Sequence, residues 1–373
     1  MQTHLVTGPG GAGVSTVAAA LAITLATAPP QAGGAGSAGS AGGTGGVGAA
    51  VTLACIGDDG SLHRLMGSDH AVSVVDLAAP RPWGELDTML AATVDRYGGD
   101  GDVAEEWRRL PGADLLAALV ALGEMIPTTD ILIVDLGDLR QAGRLLGATV
   151  RTPWVLRGLL GLQAVSARLV GPAAGHAVPR WLDALEATAD VVRSGQTRLH
   201  VVTGSGALAE AKTRRAVPPL LLSGVGPGLV IAPATDPIAA AEPGRWAPFV
   251  PVATAAWAAD ADGRLRADLA EVTAPLLAAL PRLVETPAQV LRAADHLTWR
   301  VPLPWVSADA VQVEHRGEDL IVTVYDVPHL VLPPAVVRRC TPVRARLDGT
   351  YLEVESVLRD GAWRPPRTAR ETP

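Results

Sequence analysis

Lysine is almost missing from this chain. Of its 31 basic residues only Lys212 is a lysine, and the others are arginines. No block of basic residues stands out and the formal net charge is −7. That balance argues against a nucleic-acid binder and against a polybasic membrane patch. Cysteine is nearly as scarce: Cys55 and Cys340 lie far apart, in no C-x-x-C pair and no His-flanked cluster, which excludes a disulfide framework and a zinc site of ordinary spacing. A reducing, cytoplasmic setting is the expectation. No apolar run approaches the roughly eighteen residues that span a bilayer, so the chain is not expected to be integral to a membrane. The apolar stretch 17–28 ends in Ala-Thr-Ala, but no Lys or Arg precedes it, so a secretory leader is not expected either.

What is present is a compact, weakly charged chain. It is 48% hydrophobic, mostly Ala, Val and Leu, and 18% charged, a composition that excludes general disorder. Its 373 residues suit one large domain with a smaller companion. Near the start, "LVTGPGGAGVSTVAAALA" (5–22) reads as a short buried strand (3–7), a glycine turn and a helix of small and apolar residues (15–27). Strand, glycine loop and helix in that order form a phosphate-binding loop, in which backbone N–H groups cradle an anion and a Lys adds full charge. Gly8, Gly10, Gly11, Gly13 and Ser15 keep the cradle, while Val14 stands where the cation belongs. A unit charge pair at 4 Å is worth roughly 4 kcal/mol at an effective dielectric of about 20, so the missing lysine weighs on any reaction there.

Segment 29–48 is Gly/Ala/Ser-rich and is expected to be a disordered insertion. Apolar strands follow at 49–57 and 129–138, and again in "TRLHVVTGS" and "PGLVIAP". The alternation predicts an α/β fold over 1–290: a P-loop NTPase-like, mostly parallel sheet flanked by helices. Ligands in such sheets sit at the carboxyl ends of the strands, here 8–13, 57–60 and 135–138. From 296 to 358 short alternating runs between Pro, Gly and Asp predict a small all-β sandwich. Residues 359–373, rich in Pro and Arg, read as a disordered tail.

The chain resembles the ArsA family of anion-pump and tail-anchored-protein-targeting ATPases. "PGGAGVST" follows that family's K-G-G-x-G-K-[ST] loop, with Pro9 and Val14 at the two lysines and Ser15 and Thr16 retained. "CIGDDGSL" (55–62) is similar to the family's S-T-D-P-A-H-S-L motif, with its Asp replaced or displaced to Asp58, and "DLGDLRQAGRLL" keeps Asp135 of D-T-A-P-T-G-H. "LPGAD" (110–114) resembles a proline-glycine motif before a helix. The adenine-side asparagine falls at Ala232 or Pro233. "VPLPWVSADAVQVEHRGEDLIVTV" resembles the α-crystallin-like (small-heat-shock-like) sandwich that ends one branch of the family.

The resemblance implies Asp58 (or Asp59) and Asp135 as catalytic carboxylates. It implies a nucleotide-binding phosphate loop of Gly8, Gly10, Gly11, Gly13, Val14, Ser15 and Thr16, with Ser15 the Mg²⁺ ligand only if nucleotide binds. With both lysines, most of the two switch motifs and the asparagine missing, the expectation is a degenerate Walker A loop. The chain would then be a pseudo-ATPase that requires no cofactor, holds ATP and Mg²⁺ weakly at most, and serves as a binding, regulatory or chaperone-like module. It would act as a homodimer, or as a heterodimer with an ArsA-like paralogue. The alternative is a slow ATPase in which an arginine, from a partner or from Arg140, Arg144, Arg151 and Arg157, replaces the lysine; solvated helix-surface arginines are the plainer reading of those four. A third reading is a holdase for an apolar client segment, seated on a helical subdomain at 152–192 that periodicity alone cannot tell from buried core.

Overall fold

The computed structural model describes residues 1–27, 49–57, 60–66, 72–77, 95, 98, 112–160, 180–204, 206–233, 243–254, 269–280, 289–293, 296–316 and 319–358. The insertion at 29–48, the tail at 359–373 and the centre of 152–192 fall outside them.

Seven parallel strands form the large sheet: β1 (Gln2–Gly8), β2 (Val51–Cys55), β3 (Val72–Asp76), β4 (Ile131–Asp138), β5 (Thr197–Val202), β6 (Gly226–Pro233) and β7 (Val250–Thr254), in the order β3-β2-β4-β1-β5-β6-β7. β1, β2 and β5 are buried along nearly their whole length, as strands of a parallel sheet covered on both faces are. Helices cover both faces. On one lie α1 (Val14–Thr27), α2 (Ser61–Met66) and, further along the chain, Leu276 and Ala279 of the helix Leu269–Ala279; Val17, Leu21, Leu62 and Leu276 meet Val6, Leu53, Ile133 and Ile231 there. On the other lie α3 (Ala113–Met125), α4 (Leu139–Leu160), α5 (180–192) and α6 (Ala207–Leu221), whose Leu119, Leu145, Leu185 and Leu220 meet Leu5, Val134 and Val201. The helix Leu269–Ala279 is α7. This is the α/β architecture the sequence predicts.

Three strands escape the sequence reading. β3 and β7 close the two edges of the large sheet, and β8 (Gln289–Arg292) lies upstream of the sandwich start expected at 296. Nor does a helical unit begin at 152: α4 runs unbroken from Leu139 to Leu160, and Ala184, Leu185 and Val192 of α5 belong to the core of the sheet itself.

The sandwich packs a three-stranded sheet, β10 (Val311–Arg316), β11 (Asp319–Val324) and β12 (Val327–Val331), on a four-stranded sheet ordered β13 (Cys340–Asp348), β14 (Tyr351–Leu358), β9 (His296–Pro302) and β8. Alternate residues such as Leu320, Val322 and Val324 face Trp299, Val301, Leu352 and Val354, the period-two burial of a half-buried sheet. The β11–β12 turn has φ 51° at Tyr325 and 64° at Asp326, the two-residue hairpin geometry that normally uses Asn-Gly. A bulky side chain there is strained by about 1–3 kcal/mol. Tyr325 is held by its N–H to Ala310 O (3.1 Å), its hydroxyl to Trp305 O (3.4 Å), and the Arg215 guanidinium of α6 at 4.8 Å from its ring.

That hairpin is one half of the junction between the two parts of the chain. The other half is aromatic: Trp305 meets Trp246 edge-on at 5.5 Å and stacks on Phe249 at 5.8 Å, and its indole N–H donates to Arg245 O at 3.1 Å. Arg214 sits over both Trp rings, and its guanidinium also pairs with Glu210 at 3.0 Å. The single Phe of the sequence is therefore placed at the seam. Aromatic pairs of this kind add about 0.5–1.5 kcal/mol beyond their burial, which favours a fixed seam.

Candidate functional site

β1 lies between β4 and β5, where the strand order turns outward in both directions, and the crevice at such a switch point is where α/β sheets bind ligands. The glycine loop leaves β1 at this point. Gly8 has no room for a side chain: a Cβ would lie 2.2 Å from Val202 O of β5. Gly11 (φ 79°) and Gly13 (φ 86°) take left-handed conformations that L side chains avoid. Gly10 and Gly11 are exposed, and Ala12 N–H turns back to Pro9 O at 3.1 Å, which withdraws one loop donor from any anion.

Val14 does not replace the lysine in place. It opens α1 with its side chain buried, in one cluster with Val6, Val17, Leu53 and Cys55, and its Cγ2 would be 3.2 Å from a Cβ on Gly8. Ser15 and Thr16, half-buried in the first turn, follow Gly13, whose carbonyl accepts from Val17 N at 3.0 Å. Three N–H groups of that turn point out of the helix end without an intrahelical partner.

Asp135 is paired in register with Val6 of β1 and Cys55 of β2, so it stands at the carboxyl ends of three strands, on the face covered by α1. It is 6% exposed, and its Oδ1 accepts from Gly137 N at 2.8 Å. Thr7 donates to Gly137 O at 3.0 Å, tying β1 to the same turn. Asp138 caps α4 through Gln141 N at 2.8 Å, and Gln141 Nε2 reaches Ile56 O at 3.5 Å, joining the loops after β2 and β4. Asp58 and Asp59 lie outside the described residues. Gly57, just before them, donates to Asp76 of β3 at 3.0 Å, a partner that sequence reasoning did not name. On the adenine side Ala232 is buried in β6, with Pro233 at the strand's end.

Around the loop, then, Val14 is buried in the core, Asp135 Oδ1 is hydrogen-bonded to its own turn, and Ala12 N–H is folded back onto Pro9 O. Of the four arginines, Arg140, Arg144 and Arg151 line clefts between α4 and the sandwich; the Arg157 side chain falls outside the described set.

A buried pair of polar residues was missed as well. His4 Nδ1 and His200 Nε2 are 2.9 Å apart beneath the loop, with ring centroids at 5.1 Å. His200 Nδ1 accepts from Leu229 N at 3.1 Å, so its proton is on Nε2 and is donated to His4 Nδ1. The His4 proton is then on Nε2, which has no partner. Burial, with Arg198 nearby, lowers the His4 pKa to about 4, and burial, His4 and Arg198 hold His200 well below its ordinary value. The signal was available: "HLVTG" (4–8) and "HVVTG" (200–204) end β1 and β5 alike.

Residues 294–355 match the model of the HSP20-like domain found in ArsA. Along nearly its whole length the chain is similar to the uncharacterized protein SCO2128 of Streptomyces coelicolor, at 29% identity over 384 residues, 94% of this chain and 96% of that one. Among the described residues no helix is long and apolar enough to cross a membrane. Residues 294–355 are therefore an HSP20-like domain of the kind found in ArsA, and it follows a parallel sheet that carries a glycine loop at its switch point.

Proposed function

We propose that this ArsA-type chain has given up ATP hydrolysis and works as a binding or regulatory module, as a dimer with itself or with a lysine-bearing paralogue. The observation that carries the reading is Val14, whose burial with Val6 and Leu53 leaves the loop without a cation and without space for one beneath it. The self-bonded Pro9–Ala12 turn and the Asp135–Gly137 bond support it. The open N–H groups at the start of α1 still suit a simple anion such as phosphate, held weakly.

Steady-state phosphate release by the purified chain should equal that of Asp135→Ala, and turnover well above that control would overturn the proposal. Millimolar MgATP should stabilise the fold no more than millimolar phosphate, by less than about 0.5 kcal/mol if Kd is also millimolar.

The slow-ATPase alternative rests on one observation: the cleft that reaches Pro9 and Gly10 also holds Arg140 and Lys212. It requires MgATP turnover that Arg140→Ala abolishes while leaving the melting temperature unchanged.

A further inference from the structure

We propose that the groove between α4 and β12 is a docking site for an extended, acidic segment of a partner protein, whether or not the loop takes nucleotide. Two adjoining clefts of about 690 and 260 Å³ make up the groove, sharing Arg140, Gly143 and His329. One wall is basic. Arg140, Arg144 and Arg151 are exposed on α4, and their spacings of four and seven residues place them within about 40° of one another around the helix, along about 16 Å of its axis. Lys212 and Arg215 of α6 extend the wall at its wide end. Among the described residues none of these five groups forms an ion pair. The one carboxylate in the lining, Asp138, caps α4. On a chain of net charge −7, this is a local inversion of sign.

The opposite wall is apolar and strand-like. β12 is an edge of its three-stranded sheet, and edge strands offer free backbone groups to an added strand. Val327, Pro328 and Leu330 line this side, with Val327 53% exposed. His329 stands between the walls, with its Nε2 shut from solvent and without a partner.

A ligand that suits both walls has carboxylates toward α4 and apolar groups toward β12. An extended peptide provides this by alternation, and at about 3.3 Å per residue some five residues match the arginine stripe. Nucleotide is a worse fit, because the stripe runs away from the glycine loop for longer than one phosphate chain reaches. Nucleic acid is also disfavoured: Arg215 already covers one face of Tyr325, the phenol ring in the lining, and competes with a base for stacking there.

The test is fluorescence anisotropy of the full chain with a labelled peptide of about six residues alternating Glu and Val. Saturable binding is expected that weakens about tenfold between roughly 50 and 300 mM NaCl, as charges at a partly exposed surface do. Arg144→Glu/Arg151→Glu should weaken it at least about tenfold, with Arg144→Gln/Arg151→Gln intermediate, as electrostatic pairing requires. These arginines are exposed, so both variants should melt with the wild type. A Lys/Val peptide should not bind. The proposal is overturned if the Glu/Val peptide fails to bind at millimolar concentration or binds the charge-reversed chain equally well. Tighter, arginine-dependent binding of tripolyphosphate or oligothymidylate would also overturn it, assigning the groove to those ligands.

Discussion

Gly8→Ala is expected to cost the fold about 3 kcal/mol through overpacking and to lower the melting temperature by roughly 4 °C. The added methyl would lie 2.2 Å from Val202 O, 3.1 Å from the Val202 carbonyl carbon and 3.2 Å from Val14 Cγ2. The nearest obstacle is backbone, and β1 cannot step away from it because Thr7 is in register with Val201 of β5. Gly10→Ala is the control: a Cβ there meets nothing within 4 Å, and its effect should stay within about 0.5 kcal/mol. Thermal unfolding followed by circular dichroism separates the two. If Gly8→Ala melts with the wild type, β1 and β5 do not approach as described. The result also bears on function, since a glycine demanded by strand packing persists whether or not the loop binds phosphate.

Acid should destabilise the protein well before its carboxylates protonate. His4 and His200 are buried and neutral, with pKa values below the ordinary 6.5, so below that pH the unfolded chain takes up protons that the folded chain refuses. Protons bound by the unfolded state exceed those bound by the native state, so stability falls as pH falls, from about 6.5 until the folded pKa is passed. For His4, with a folded value near 4, the loss is about 2 kcal/mol by pH 5, and His200 adds to it with the same sign. Urea unfolding at pH of about 7.5 and about 5 measures the slope. His4→Leu/His200→Leu should be less stable at the higher pH, because Leu229 N loses its acceptor, yet nearly flat between the two. A wild-type slope of zero over this window would mean that the pair is solvated or already charged.

The sequence was most informative where structure follows local pattern. Buried strands before a glycine turn, the small-residue helix 15–27 and the alternation of 319–324 each depend on periodicity within a few residues, and all three form as read. β3, β7 and β8 were missed for a related reason: each is only four or five residues long, too short for a period to declare itself, and each is recruited by pairing with a neighbour. At the site, the presence of Gly8, Asp135 and Val14 was legible, but their roles were not. That Gly8 faces Val202 O, that Asp135 bonds to Gly137 and that Val14 turns into the core depend on contacts between segments distant in sequence. The four arginines were judged by helix periodicity, which identifies a common face but not what stands opposite it.

The sequence by itself therefore determined the α/β sheet with its glycine loop and the β-sandwich that follows, because composition and local spacing carry both. The tertiary structure alone decided that two histidines 196 residues apart are hydrogen-bonded in the core, that Trp246, Phe249 and Trp305 close the seam, and that three arginines of α4 face the edge of the sandwich. Close packing brings together side chains that no local pattern relates, and burial then fixes their protonation and their partners.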